Sequence, residues 1–424
     1  MLPPWLRLAT LDLTPLRHRD FRLLFWGQLV SYLGSQVTLV AVPFQVYQLT
    51  HQPAAVGLLG LIELVPMLAL SLVGGAIADA RDRRTMVLAT EVAFTALSSM
   101  LLINALQDEP SLVAIYVIAA AHAGLFALQR PSLEALLPRL VERHELTAAG
   151  ALAMLRGTFG MLLGPAIGGL LISGVGLPLT YGVDVVSFGA SLLALGMMNA
   201  VPPPETAERP NLKSVFEGFS YARRKPELIG TYVVDIVAMF FGMPSALFPA
   251  IADSMGGPGI LGLLYSAPAL GAFVATATSG WTSRVHRHGL TVILAATAWG
   301  IATALFGLVT TPAVALLFLA IAGGADAVSG IFRSTIWNQT VPDALRGRLA
   351  AIEMVSYSTG PLLGNAESGF VASLISVPFS VVSGGILCVL GCLISGALLP
   401  GFRDYKPQFK RTDPERADIV ALHP

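Results

Sequence analysis

Twelve apolar runs, each long enough to cross a bilayer as a helix, follow one another from about 21–48 to about 378–400. A helical crossing takes ~20 mostly apolar residues. The joints between runs are short and punctuated, as at His51-Gln52-Pro53, Asp108-Glu109-Pro110, Gly176-Leu177-Pro178, Thr311-Pro312 and Val377-Pro378. Long continuous runs exclude a transmembrane barrel, whose strands are ~10 residues of alternating polarity. Only 12% of the 424 residues are charged, against about a quarter in an ordinary soluble domain. The expected class is an all-α membrane protein of twelve transmembrane helices.

The basic residues orient it. If both termini are cytoplasmic, 25 of the 26 lysines and arginines fall in the tails or in joints on the cytoplasmic side, and no outer joint carries one. That is the positive-inside pattern. The exception is Arg156, inside the fifth segment. Pro202-Pro203-Pro204 then opens a polar linker that no helix interior would tolerate. It continues into an amphipathic stretch, Leu212 to Tyr221, suited to a membrane surface. The expected plan is a tail at 1–20, a six-helix lobe at 21–200, a linker at 201–227, a second lobe at 228–400 and a tail at 401–424. Arg130-Pro131-Ser132 with Pro138 and Arg143 is echoed by Arg333-Ser334-Thr335 with Pro342 and Arg346, as a duplicated unit would give. In transporters built from repeats, the substrate site lies between them near the bilayer midplane.

At the end of the second segment, Gly75 is followed by Asp79, Arg81, Arg83 and Arg84. This spacing resembles the signature loop of the major facilitator superfamily, with Ala80 where a basic residue is usual and Asp82 where a glycine is usual. The resemblance implies a fold of two pseudo-symmetric six-helix lobes. It also implies a conformational latch in which Asp79 pairs with a helix end and basic groups in one state and lets go in the other. The three arginines also read as plain topology anchors. The equivalent run in the second half, Gly280 to Arg284, has no aspartate.

The fifth segment carries Gly160, Gly164, Pro165, Gly168 and Gly169. Small residues at such spacing allow a neighbouring helix close in. The run resembles the Gly-Pro-x-x-Gly-Gly motif of the drug:proton antiporter branch, though packing alone would also account for it. Asn104-Ala105-Leu106, Phe248-Pro249-Ala250 and Pro342-Asp343-Ala344-Leu345-Arg346-Gly347-Arg348 resemble the bacterial siderophore exporters of the enterobactin type and the related macrolide effluxers.

Ionisable groups at membrane depth cost roughly 2.5–3.5 kcal/mol each on insertion scales and are functional candidates by default. By the resemblance, segments 1, 4, 7 and 10 line the cavity with 2, 5, 8 and 11 beside them. That ranks His122, Arg156, Asp235, Asp326 and Glu353 first, Glu63 next, and Glu91 and Asp184 as structural. Arg156 needs an acidic partner or an anionic substrate. One expectation is a pair with Asp326 or Glu353 that a proton releases; the other is a permanent ion pair. Gln28, Tyr32 and Gln36, four apart on the first segment, suit either a cavity wall for a bulky amphiphile or interhelical glue.

No Gly-x-x-x-x-Gly-Lys-Ser/Thr loop, His-Glu-x-x-His or Gly-x-Ser-x-Gly is present, so ATP drive and hydrolysis have no support. Cys388 and Cys392 read as small packing residues, with no metal or cofactor expected. A net charge of zero gives nucleic acid no footing. The function expected is a monomeric exporter in the bacterial inner membrane, moving a small molecule against protons within the lipid bilayer. A catecholate siderophore is the favoured cargo and a macrolide or other drug the second. A receptor or scaffold that transports nothing is the reading from another class.

Overall fold

The computed structural model describes residues 12–80, 82–201, 220–342 and 345–407, and these are helical apart from short joints. The first half contains α1 (Arg19–Thr50), α2 (Pro53–Ala80), α3 (Arg83–Ala105) and α4 (Leu112–Leu136). It closes with the run Leu146–Gly196, interrupted at Gly176. Gly176 has φ 81° and ψ 172°, a backbone that glycine adopts at little cost. We call the parts on either side α5 (146–175) and α6 (177–196). The second half contains α7 (Pro226–Met255), α8 (Pro258–Ala277), α9 (His288–Phe306), α10 (Pro312–Thr340), α11 (Arg346–Leu374) and α12 (Val377–Leu398).

Among the described residues, ten helical spans are long and apolar enough to cross a membrane, and the α5–α6 run is one of them. α11 is not among the ten, since Glu353, Asn365 and Glu367 sit among its serines. α7 is not continuous. Its helix stops at Phe241 and resumes at Phe248 after a short 3-10 turn. Backbone groups freed inside a membrane must find partners, and here side chains supply them. Asn365 Oδ1 accepts from Ser245 Oγ at 2.6 Å and from the Ala246 N–H at 3.1 Å. Trp299 Nε1 donates to the Gly242 carbonyl at 3.1 Å.

One end of the bundle carries the arginine-bearing joints, the basic end; the other is the neutral end. At the neutral end a single apolar core runs through both halves, from Val40, Val46 and Ile115 to Leu247, Phe248 and Leu319. Toward the basic end the cores separate. Leu24, Val87 and Leu195 belong to the first half, while Val234, Ile293, Phe332 and Ile336 belong to the second. The halves are joined at the neutral end and part toward the basic end.

Two basic residues counted with the joints, Arg130 and Arg333, stand more than a turn inside the long helices α4 and α10. Both helices outlast their apolar runs, because helical hydrogen bonding continues past the point where side chains turn polar. The linker from 202 to 219 lies outside the described residues.

Candidate functional site

α7, α10 and α11 bring a charged cluster together in the second half. The Arg333 guanidinium on α10 pairs directly with the Asp235 carboxylate on α7 and lies 3.4 Å from Asp326 Oδ1, two turns back on its own helix. Glu353 on α11 is within electrostatic range of Arg333 and Asp235. Three carboxylates therefore share one arginine. The Asp235 side chain is 8% exposed and that of Asp326 40%, so the cluster runs from the protein interior out to an open wall. An ion pair held in low dielectric is costly to assemble and sensitive to any change in the charge of one partner.

Arg333 was not singled out in the sequence as a site residue. The signal available was a base among three acids that the repeat and helix numbering already brought to one side. Arg156 does not take the partner expected of it. It stands on α5 and makes no hydrogen bond or ion pair with Asp326 or Glu353, whose arginine is Arg333. Its electrostatic neighbours are Tyr32 and Glu91.

In the first half, α1 seats on the small residues of α5. A Cβ on Gly160 would overlap the Tyr32 ring, one on Gly164 would overlap the Gln36 side chain, and one on Gly168 would lie 3.1 Å from the Val37 Cα. Tyr32 and Gln36 thus face α5. The other edge of the same motif leaves the half altogether, since Gly169 and the Pro165 carbonyl meet Gly262 of α8. Tyr32 is also in electrostatic range of Arg130 on α4. Arg130 bonds Glu134 at 2.9 Å, and its guanidinium lies 5.4 Å from the centre of the Tyr357 ring on α11. That contact crosses between the halves.

Gln28 turns another way. Its amide donates to Glu91 Oε1 at 2.8 Å, as does that of Gln129 at 3.0 Å. Glu91 is 1% exposed. Asp184 on α6 is also fully buried, and its Oδ2 accepts from Thr38 Oγ1 at 2.6 Å and Ser98 Oγ at 2.7 Å. Neutral donors satisfy Asp184 without a cation, whereas Glu91 holds both amides on Oε1 and its Oε2 is buried with no hydrogen-bond partner among the described residues. His122 packs its ring 4.7 Å from that of Phe94 on α3, and its Nε2 is buried with no hydrogen-bond partner among the described residues. Glu63, half-buried on α2, has Tyr265 of α8 as an electrostatic neighbour.

Of the signature loop, Arg81 lies outside the described residues, as do the side-chain surroundings of Gly75 and Asp79. Arg83 Nη1 donates to the Ala135 carbonyl at 2.9 Å. Arg84 donates from Nε to the Leu195 carbonyl at 2.8 Å and from Nη2 to the Gly196 carbonyl at 2.7 Å. The two arginines therefore sit on the C-terminal carbonyls of α4 and α6, where positive charge is favoured.

The sequence profile of the transmembrane secretion effector family matches residues 10–413. The enterobactin exporter EntS of Shigella boydii is 31% identical over 400 residues, covering 93% of this chain and 96% of that one. EntS of Escherichia coli matches at the same identity and coverage. Among solved structures, a bacterial homologue of the human lysosomal transporter Spinster, inward-facing and unoccupied, superposes with a TM-score of 0.74 at 14% identity, covering 93% of this chain and 100% of that one. The nucleoside transporter NupG superposes with a TM-score of 0.70 at 14% identity, covering 90% and 98%.

Proposed function

Because the chain belongs to the transmembrane secretion effector family, a family of major facilitator transporters and not of enzymes, we propose that it exports a catecholate siderophore across the bacterial inner membrane by proton-driven alternating access. The observation that carries this reading is the 31% identity to enterobactin exporters along nearly the full length of both chains. We take the chain to cross the membrane twelve times, as a monomer, with lobes divided at the 201–227 linker and with the basic end and both termini in the cytoplasm.

On this reading the halves, joined at the neutral end, hold the cavity open to the cytoplasm for loading. Outward opening must part the seam between α2 and α11 and between α5 and α8. The second-half cluster supplies the coupling. A proton taken up by Asp235, Asp326 or Glu353 removes one negative charge from around Arg333, loosens the guanidinium, and changes which helix pair it holds together. That gives ion binding a differential effect on two states, which is what coupling requires.

The experiment is transport into inverted membrane vesicles with an imposed pH jump, using enterobactin and erythromycin as alternative cargoes. Enterobactin accumulation that follows the gradient supports the proposal. Erythromycin accumulation alone would transfer the function to drug efflux, and no gradient-dependent movement of either would remove the exporter reading. Asp235→Asn, Asp326→Asn and Glu353→Gln are compared in the same vesicles; unchanged proton coupling in all three would remove the cluster from the mechanism.

A further inference from the structure

We propose that Arg156, with Tyr32 and Arg130 beside it and Tyr357 opposite, forms a subsite for an anionic aromatic group of the cargo; this rests on the exporter reading above. Arg156 stands ten residues into α5, about 15 Å from the basic end at about 1.5 Å per residue. An arginine at that depth demands compensation. Among the described residues it has no hydrogen-bond or ion-pair partner, and its acidic electrostatic neighbour, Glu91, is enclosed by the amides of Gln28 and Gln129. Glu91 is 1% exposed and neutralises Arg156 only through space, whereas Arg156 is itself partly exposed and open to an anion from outside the chain.

The surroundings define what kind of anion. Arg156 lies one turn before Gly160, on the face of α5 that the Tyr32 ring contacts. Tyr32 is in electrostatic range of both Arg156 and Arg130. Arg130 in turn carries Tyr357 of the other half under its guanidinium, so this seam faces the space between the halves. Arg156, Tyr32, Arg130 and Tyr357 are all partly exposed. The Arg156 guanidinium provides charge-assisted hydrogen bonds for an oxyanion, Arg130 being already bonded to Glu134, and the two phenol rings provide stacking faces for an aromatic ring. The opposite wall holds three carboxylates around Arg333, so a cargo anion is drawn to the first half.

Three ring compounds of different charge test the subsite on the purified full-length protein: 3,4-dihydroxybenzoate, catechol and tetraphenylphosphonium. Calorimetry should show the benzoate binding more tightly than catechol. Arg156→Gln should weaken the benzoate about tenfold or more, as removal of a hydrogen bond to a charged group does, and leave catechol unchanged; Arg156→Lys should restore part of the loss. Equal benzoate binding by Arg156→Gln, or tighter binding of the phosphonium ion, overturns the proposal. A measurement on the unaltered protein covers a variant that fails to fold. Phenylglyoxal modification of Arg156, read by mass spectrometry, should be slowed by the benzoate and not by catechol, and absence of protection overturns the site. Loss of enterobactin export with benzoate binding intact would count against the cargo and leave the subsite standing.

Discussion

Gly169 of α5 and Gly262 of α8 meet backbone to backbone: a Cβ on the first would lie 2.8 Å from the Cα of the second, and one on the second 2.9 Å from the Cα of the first. Two helices can approach this closely only where both lack side chains. The contact joins the halves at the neutral end, and under the proposed alternating access it must part for the outer side to open. Gly169→Val should therefore prop the neutral end open. Cysteines introduced near Pro258 should react faster with an impermeant maleimide applied from the outer side, and transport should fall by about an order of magnitude, the penalty of disfavouring one state by roughly 1.4 kcal/mol. Unchanged labelling would mean that the seam is not what closes the outer side.

The Asp235–Arg333 pair yields a stability experiment. Arg333→Gln leaves Asp235, Asp326 and Glu353 facing one another without their base, and breaking a buried pair costs about 3–5 kcal/mol. The double variant Asp235→Asn with Arg333→Gln removes both members and should recover much of that loss. Denaturation in detergent of the four proteins of the cycle gives the coupling energy. If the double variant is as unstable as Arg333→Gln, the pair is not the interaction that Arg333 serves.

The fold was legible because its grammar is local: length of apolar run, joint residues and the side on which arginines fall. Partner choice was not. Gln28, Tyr32 and Gln36 share a helix face by spacing, yet each step of four overshoots the 3.6-residue turn by about 40°. The accumulated rotation sends Gln28 toward α3 and α6 while Tyr32 and Gln36 meet α5. Arg156 could be recognised as an unmatched base from the sequence, but Arg333, close to the end of its apolar run, was counted with the cytoplasmic joint that follows and not as a membrane-depth charge. Asp326 lies two turns from Arg333 on the same helix, but the pairing of Asp235 with Arg333 joins positions about 100 apart in the chain, and no local pattern encodes it.

The enclosed Asp184 gives a third prediction. Thr38 and Ser98 bond the same carboxylate oxygen, from α1 and α3 respectively. Each hydroxyl removed, as Ser98→Ala or Thr38→Val, should cost about 0.6 kcal/mol, the mean for hydrogen bonds between membrane helices. The double variant should cost more than the sum, because Oδ2 then loses both donors. Thermal unfolding in detergent measures this, and a strictly additive result would show that each hydroxyl acts alone.

Mutation can separate the bonded Arg84 of the signature loop from the latch role proposed for Asp79. Arg84 bonds the last carbonyls of α6 within its own half, so its contribution is to hold α3 against α6 whichever way the transporter faces. Arg84→Ala should lower stability by about 1–2 kcal/mol, the loss for charged hydrogen bonds that cap a helix end. It should leave the balance of inward and outward states where it was. Asp79→Asn, if the aspartate works as a latch, should do the reverse: little change in unfolding temperature and a shift in that balance. Accessibility labelling at each end, alongside unfolding, reads both quantities on the same protein. A shift of state in Arg84→Ala, or none in Asp79→Asn, would merge the two roles into one and leave the loop as an anchor alone.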